Sequence, residues 1–141
     1  MYLLDTNVIS ELRKAKSGKA NKKVEAWASH VLTSSLFLSA ITVLEVETGI
    51  FLIERRDPRQ GSLLRSWFEE QVLPTFSDRI LSVNTAVARC CAKLQVPDRH
   101  SDRDTLIAAT ALVHGMIVVT RNVVDFESTG VEILNPWKDH H

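Results

Sequence analysis

Cysteine is scarce in this sequence. The only two, Cys90 and Cys91, are adjacent within a helix-like stretch and lack the C-x-x-C spacing of a metal or redox motif. A disulfide framework is excluded, and free or buried thiols in a reducing compartment are expected. No apolar run approaches the ~20 residues that a membrane helix needs. The N-terminal MYLLDTNVIS is apolar, but Asp5 interrupts it and no basic segment precedes it, so it does not read as a signal peptide. A cytoplasmic protein without membrane association is expected. Net charge is lacking as well: 17 basic and 17 acidic residues cancel. A promiscuous nucleic-acid coat would carry a large positive excess. Histidine and cysteine nowhere cluster at zinc-ligand spacing: His30, His100 and His114 are scattered, and His140-His141 is a C-terminal pair with the look of a tag remnant. Neither an internal repeat nor a linker is visible. With 141 residues and 45% hydrophobic content, the chain fits one domain spanning 1–141. A domain of that size buries about 68–70% of its unfolded surface and needs no disulfide or structural metal to fold.

What is present is an alternation of short apolar strands and amphipathic helices. Strands are expected at Tyr2–Leu4, Leu36–Leu38, Arg79–Val83, Met116–Thr120 and Val131–Leu134. A buried strand beginning at residue two suggests a central parallel strand, and so does the unbroken apolar run Met116–Thr120. Helices are expected from Val8 to Arg13, around Val24–Leu32, from Thr42 to Asp57, from Pro58 to Leu73, from Asn84 or Thr85 to Leu94, and from Asp104 to His114 with Gly115 as its C-terminal stop. Thr42 and Glu45 have the T-x-x-E form of a capping box. The two helices between Thr42 and Leu73 form a hairpin. Arg121–Phe126 reads as loop and turn. The order implies an α/β fold: a three-layer α/β/α sandwich with a mainly parallel central sheet and a protruding helical hairpin.

In such sheets ligands bind beyond the carboxyl ends of the strands. Asp5 ends the first strand. Glu45 is expected in the first turn of the helix after the second strand. Asp104 starts the helix leading into Met116–Thr120, and Asn122 and Asp125 follow that strand. Each has an ordinary explanation: Asp5 as a helix cap, Glu45 as half of a capping box, Asp104 at a helix dipole, Asp125 in a turn. Together they map to one rim of one sheet, where carboxylates in low dielectric repel and raise one another's pKa. A divalent cation relieves that repulsion, and all-oxygen ligation suits Mg²⁺ or Mn²⁺. A second feature is the run Arg13, Lys14, Lys16, Lys19, Lys22 and Lys23, with no acid among them. It is either a solvated loop and helix start or a patch that holds phosphates.

The segments LLDTNVISEL, SAITVLEVETG, DRDTLIAATALVHG and VVTRNVVDF resemble the motif regions of PIN domains, in particular those of VapC-type toxins, and the likeness extends to the closing GVEILNPW. The resemblance implies a Mg²⁺-dependent endoribonuclease held inactive by a cognate antitoxin. Carried over by residue, Asp5, Glu45 and Asp104 match three invariant acids, and Asp102 is secondary. At the fourth position many relatives have an acid directly after T-R; here that residue is Asn122, with Asp125 one turn further on as a substitute. On this reading Asp5 and Asp104 hold the principal Mg²⁺, with Mn²⁺ able to substitute, and Glu45 orients a water or takes its proton. A second ion would lie nearer Asn122 and Asp125. The product carries a 5′-phosphate. Thr6, Asn7 and Thr120 position substrate or acids; Arg13, Lys14 and the rest of the basic stretch, with Arg121, hold the RNA backbone. The resemblance also implies a homodimer, a toxin–antitoxin heterotetramer or larger assembly, and a hairpin whose Phe51, Leu52, Trp67 and Phe68 either pack in the core or help form an antitoxin groove. Two other readings compete. A haloacid-dehalogenase-type phosphohydrolase also starts with a strand ending in Asp, but needs a second Asp where Asn7 stands. A degenerate, non-catalytic RNA-binding module is kept open by Asn122.

Overall fold

The computed structural model describes residues 1–138, so the His140-His141 pair lies outside the described residues. Five strands form one sheet: β1 (Tyr2–Leu4), β2 (Leu36–Ser39), β3 (Ile80–Leu81), β4 (Ile117–Val119) and β5 (Ile133–Leu134). Their order is β3-β2-β1-β4-β5, and every pairing is parallel. β1 is therefore the middle strand and β4 is interior, as their unbroken apolar sequences predict. Successive strand residues face opposite sides of a sheet. Leu3 accordingly packs with Ile107, Ala108, Val118 and Phe126, while Leu4 packs with Val8, Trp27, Val46, Phe68 and Val119.

These two cores are the interfaces of a three-layer sandwich. One outer layer holds α1 (Thr6–Arg13), α2 (Lys22–Ser29), α3 (Ala40–Arg56) and α4 (Pro58–Trp67). A π-helical turn, Phe68–Val72, and a short α5 (Leu73–Thr75) continue α4. The other layer is α7 (Asp102–His114), with α6 (Thr85–Leu94) packed on it and α8 (Val124–Glu127) beside it.

Local expectations change at several points: α1 starts at Thr6 rather than Val8, α7 at Asp102 rather than Asp104, and β3 is shorter than Arg79–Val83. The long hairpin helix starts at Ala40, not Thr42, because the Ser39 hydroxyl caps it by accepting from the Ile41 N–H at 3.0 Å. Thr42 is fully buried and its hydroxyl donates to the Leu4 carbonyl at 3.5 Å, so no capping box forms and Glu45 lies in the second turn. The helix from Pro58 is not uniform: it widens at Phe68–Val72, just where Pro74 lacks an N–H and its ring crowds the carbonyl of Glu70. Finally, Arg121–Phe126 is not wholly loop, since Val124–Glu127 makes one helical turn that buries Phe126.

The strand order reverses between β1 and β4: β2 and β3 lie to one side of β1, β4 and β5 to the other. Connections leaving such a switch point diverge above and below the sheet and leave a crevice at the carboxyl ends of the strands. Asp5 follows β1 directly and Thr120 follows β4, so the crevice opens on these two residues.

Candidate active site

Asp5 is held by four contacts that its neighbours dictate. Its N–H continues the parallel ladder to the Val119 carbonyl at 2.9 Å. Oδ1 accepts from the Thr6 N–H at 2.8 Å, which makes Asp5 the N-cap of α1. Oδ2 accepts from the Thr120 hydroxyl at 2.8 Å and from Asn7 Nδ2 at 3.2 Å. The residue is 5% exposed. Burial pushes its carboxyl above the ordinary range, Glu45 adds to the rise, and the bonds from Thr120, Thr6 and Asn7 oppose it. Capping alone would explain one oxygen. It does not explain a buried second oxygen gripped from a strand 115 residues away.

Glu45 is brought to the same place by α3. Its Oε1 accepts from the Thr6 hydroxyl at 2.7 Å, and Oε2 faces Arg103 Nη1 at 4.0 Å. Thr6 thus joins two acids: its N–H serves Asp5 and its hydroxyl serves Glu45. Asp104 lies in the first turn of α7, and burial raises its carboxyl most, to about 6, followed by the charges of Asp5, Asp125 and Glu45. Four acids from distant sequence positions therefore lie within electrostatic reach of one another. Asp102, at the start of the same helix, instead accepts from Gln95 Nε2 at 3.2 Å, tying α7 to the end of α6.

The fourth corner contains both residues named from sequence. Asn122 and Asp125 line one cleft of about 520 Å³ with Arg121, Val123, Val124, Asn135 and Lys138. The Asn122 N–H donates to the Thr120 hydroxyl at 3.0 Å, and the Asp125 N–H to the Asn122 carbonyl at 3.1 Å. Only Asp125 brings charge, and that charge is felt at Asp104.

Among the described residues, no three acidic, histidine or cysteine side chains converge into a ready-made metal cage. The donor set is nevertheless one that a small hard cation suits. It is all oxygen, it concentrates negative charge at Asp104, and Mg²⁺ is held through one or two carboxylates with waters completing its shell. The group fits that ion and does not fit zinc, for which nitrogen or sulfur ligands are wanted.

The residues expected on the substrate side divide. Thr120 is fully buried, and of the two roles open to it only the service of Asp5 is within its reach. Asn7 bridges: Nδ2 donates to Asp5 and to Thr120, while Oδ1 accepts from the Arg121 N–H at 3.2 Å. Arg13 lies at the end of α1, lining a groove of about 320 Å³ with Thr6, Glu45, Gly49 and Trp67. Lys14 pairs with Glu11 at 3.4 Å. Sequence reading missed the indole platforms beneath two arginines: Arg13 stands 5.9 Å from the ring centroid of Trp67, and Arg121 stands 5.4 Å from that of Trp137. It also missed Arg103 beside Glu45. No local pattern announces such pairs, because each joins distant segments. Among the aromatic hairpin residues, Phe68 is core at 1% exposure, whereas Phe51 and Leu52 stay exposed.

Comparison with known proteins agrees with this geometry. The PIN domain family matches residues 2–131. A VapC ribonuclease, Y4jK, from Sinorhizobium fredii is 38% identical over 98% of this chain and 99% of its own length. Toxin FitB from Neisseria gonorrhoeae is 35% identical over 99% of this chain and all (100%) of its own. Among solved structures, that of FitAB bound to an IR36 DNA fragment matches with a TM-score of 0.89 and 35% identity, covering 100% of this chain and 99% of the other. The VapBC-1 structure from nontypeable Haemophilus influenzae matches with a TM-score of 0.69 and 25% identity over 97% and 98%. With its match to the family running nearly end to end, and its acids gathered at the β1/β4 crevice, this chain belongs to the PIN domain family.

Proposed function

We propose that this chain, as a single nuclease domain, is the ribonuclease toxin of a toxin–antitoxin module and that Asp5, Glu45, Asp104 and Asp125 form its catalytic centre. The observation that carries the reading is the convergence of acids at the β1/β4 crevice: Thr6 bonds both Asp5 and Glu45, and Asp104 in the first turn of α7 lies within electrostatic reach of Asp5, Asp125 and Glu45, which with burial raise its carboxyl. Strongly perturbed acids in a crevice mark functional sites, since structure alone gains nothing from placing like charges together. Dependence on a divalent cation is general among PIN-domain VapC nucleases. Here Asp5 and Asp104 would hold Mg²⁺ or Mn²⁺, with Glu45 and Asn122 as further oxygen donors. When bound, the ion neutralises the phosphate's charge and makes the attacking water more acidic.

The chain's own residues do the remaining work. Thr120, Asn7 and the Thr6 N–H keep the Asp5 carboxylate in one orientation. Thr6 orients Glu45, which takes the proton of the attacking water. Arg13, Lys14 and Arg121 hold the RNA backbone on either side of the acids. The cut leaves a 5′-phosphate and makes no use of the ribose 2′-hydroxyl. A haloacid-dehalogenase reading is disfavoured by Asn7: its amide is committed to Asp5, Thr120 and Arg121, and its N–H is far too weak an acid for the required acid–base role.

The partner is a cognate antitoxin. Support comes from the exposed apolar residues of the α3–α4 hairpin, Phe51, Leu52 and Leu63, which offer a face for a helix or tail. A homodimer, and with antitoxin a heterotetramer or larger assembly, is the proposed state; size-exclusion chromatography with light scattering tests it. No helix among the described residues is long and apolar enough to cross a membrane, and the cytoplasm is the proposed location.

The deciding experiment is RNA cleavage by purified wild type and Asp5→Asn, in Mg²⁺ and in EDTA. Cleavage by the wild type in Mg²⁺ alone supports the reading. Equal cleavage by both proteins would sink it, and no cleavage by either would favour the non-catalytic RNA-binding module.

A further inference from the structure

We propose that the cleft at the end of β5 is a ribonucleotide subsite, in which Arg121 holds a phosphate and Asn135 selects the base beside the cut. The inference rests on the assignment of Arg121 to the RNA backbone made above, and goes beyond it by naming a pocket and a base-reading side chain.

Asn135 follows β5 directly, and the Thr120 N–H donates to the Leu134 carbonyl at 3.0 Å. Asn135 is thus one strand beyond Thr120 on the same rim as the acids. The cleft it lines also includes Arg121, Asn122 and Asp125 and measures about 520 Å³. Ligand pockets for small organic groups run from about 300 to 1,000 Å³, so one nucleotide fits. Asp125 belongs both to this cleft and to the set of charges that raise Asp104. A nucleotide in the cleft therefore adjoins the phosphate to be cut.

The chemistry of the lining is what a nucleotide needs. Asn135 Oδ1 accepts from the Trp137 N–H at 3.0 Å. That bond fixes the amide's orientation and leaves Nδ2 as the group to donate to a base acceptor. The same turn sets Trp137 under Arg121, with the guanidinium 5.4 Å from the ring centroid. A guanidinium braced on an aromatic ring keeps its edge free for a phosphate and loses less freedom on binding. Asn122 and Val124 complete a wall that is part polar and part apolar, which suits a base edge and a base face. The groove on the Arg13 side has no side-chain amide: beside Thr6, Ser10, Arg13 and Glu45 its walls are Val46, Gly49, Ile50, Ile53, Leu64 and Trp67. Base choice is accordingly expected on the Arg121 side of the cut.

The test uses the whole chain and two readouts. In the first, ¹⁵N NMR follows titration with each of the four ribonucleoside 5′-monophosphates in Mg²⁺. Saturable shifts are expected at the Asn135 side-chain amide and the Trp137 indole N–H, with unequal affinity among the bases. Asn135→Asp keeps the acceptor for the Trp137 N–H and so keeps the turn, but removes the donor. It should reduce discrimination among bases by about three- to tenfold, the worth of one neutral hydrogen bond. Arg121→Ala should weaken all four nucleotides alike. In the second readout, a single-stranded RNA pool of degenerate sequence is digested and its new ends sequenced, and Asn135→Asp should flatten the base preference at one position next to the cut. Equal binding of all four nucleotides by the wild type, shifts confined to other residues, or an unchanged end distribution in the variant overturns the subsite. Shifts at Asn135 and Trp137 without any wild-type cleavage would support the subsite and count against the nuclease.

Discussion

The Thr120 hydroxyl donates to Oδ2 of Asp5 at 2.8 Å, joining the ends of two adjacent parallel strands. The same oxygen of Thr120 accepts from the Asn122 N–H at 3.0 Å and from Asn7 Nδ2 at 3.3 Å. One buried hydroxyl thus organises the acid, its amide neighbour and the start of the fourth corner.

Thr120→Val tests that role with little change in volume. It strips a donor from a buried carboxylate and an acceptor from the Asn122 N–H. Loss of a buried partner costs about 1–3 kcal/mol. Urea unfolding should show that drop at pH 7. Catalytic loss is expected to exceed what the small structural change explains, because Oδ2 of Asp5 is then held only by the longer bond from Asn7. A variant with wild-type midpoint and rate would remove Thr120 from the site.

The carboxyl of Asp104 is raised from 3.8 to about 6, and that of Asp5 is raised in the same direction. Between roughly pH 6 and pH 4 the folded protein therefore holds protons that the unfolded chain has released. Without metal, this contribution favours folding as pH falls through 6 toward 4 and disfavours it as pH rises. Asp104→Asn abolishes the charge. Its thermal midpoint in EDTA should exceed that of the wild type at pH 7.5, with the gap closing near pH 4.5. A gap that is constant with pH would contradict the repulsion.

Magnesium should reverse this penalty. A ligand that binds only the folded state stabilises it by RT ln(1 + [L]/Kd). Because binding requires ionised carboxylates, Mg²⁺ should raise the thermal midpoint clearly at pH 7.5 and much less at pH 5, below the raised value at Asp104. Asp104→Asn should lose most of the shift. Equal shifts in the two proteins would place the ion elsewhere.

The α3–α4 hairpin depends on a close approach. A Cβ on Gly61 would stand 2.6 Å from Glu54 Cα and 2.5 Å from its Cγ. Alanine normally gains about 1 kcal/mol over glycine within a helix. Here the clash involves backbone, and overpacking of this kind costs about 1–3 kcal/mol. Gly61→Ala should therefore destabilise despite its better propensity. Nearby, Arg65 bonds both Glu47 and Glu54 and stacks on Phe51 at 4.7 Å, which secures the same crossing.

The basic stretch gives an ionic-strength prediction. Neutralising Arg13, Lys16, Lys19 and Lys22 together should weaken RNA binding and flatten its dependence on salt, by about one in slope for each phosphate left without its cation. An unchanged slope would return the stretch to a solvated loop.

Much of this is legible in the sequence because it is local. Apolar runs at Tyr2–Leu4 and Met116–Thr120 announce buried parallel strands, and the alternation with helices announces layers. Asp5 stands out because an acid abuts a buried strand. The misplaced start of α3 is a local competition between equally plausible caps. Ser39 outranks Thr42 because Thr42's hydroxyl is within reach of Leu4 across the sheet, an arrangement no window of sequence contains.

The sequence by itself determined the fold class and the family likeness, and it singled out Asp5, Glu45 and Asp104 as candidate site residues, since strand patterns and short motifs are written in consecutive residues. Only the tertiary structure decided that Thr6 serves two carboxylates, that Thr120 turns inward, that the charge of Asp125 reaches Asp104, and that Trp67 and Trp137 lie under Arg13 and Arg121. Those are statements of distance between remote segments. Burial and Coulombic coupling act through space, and the spatial neighbours exist only once the strands have closed on one another at the β1/β4 crevice.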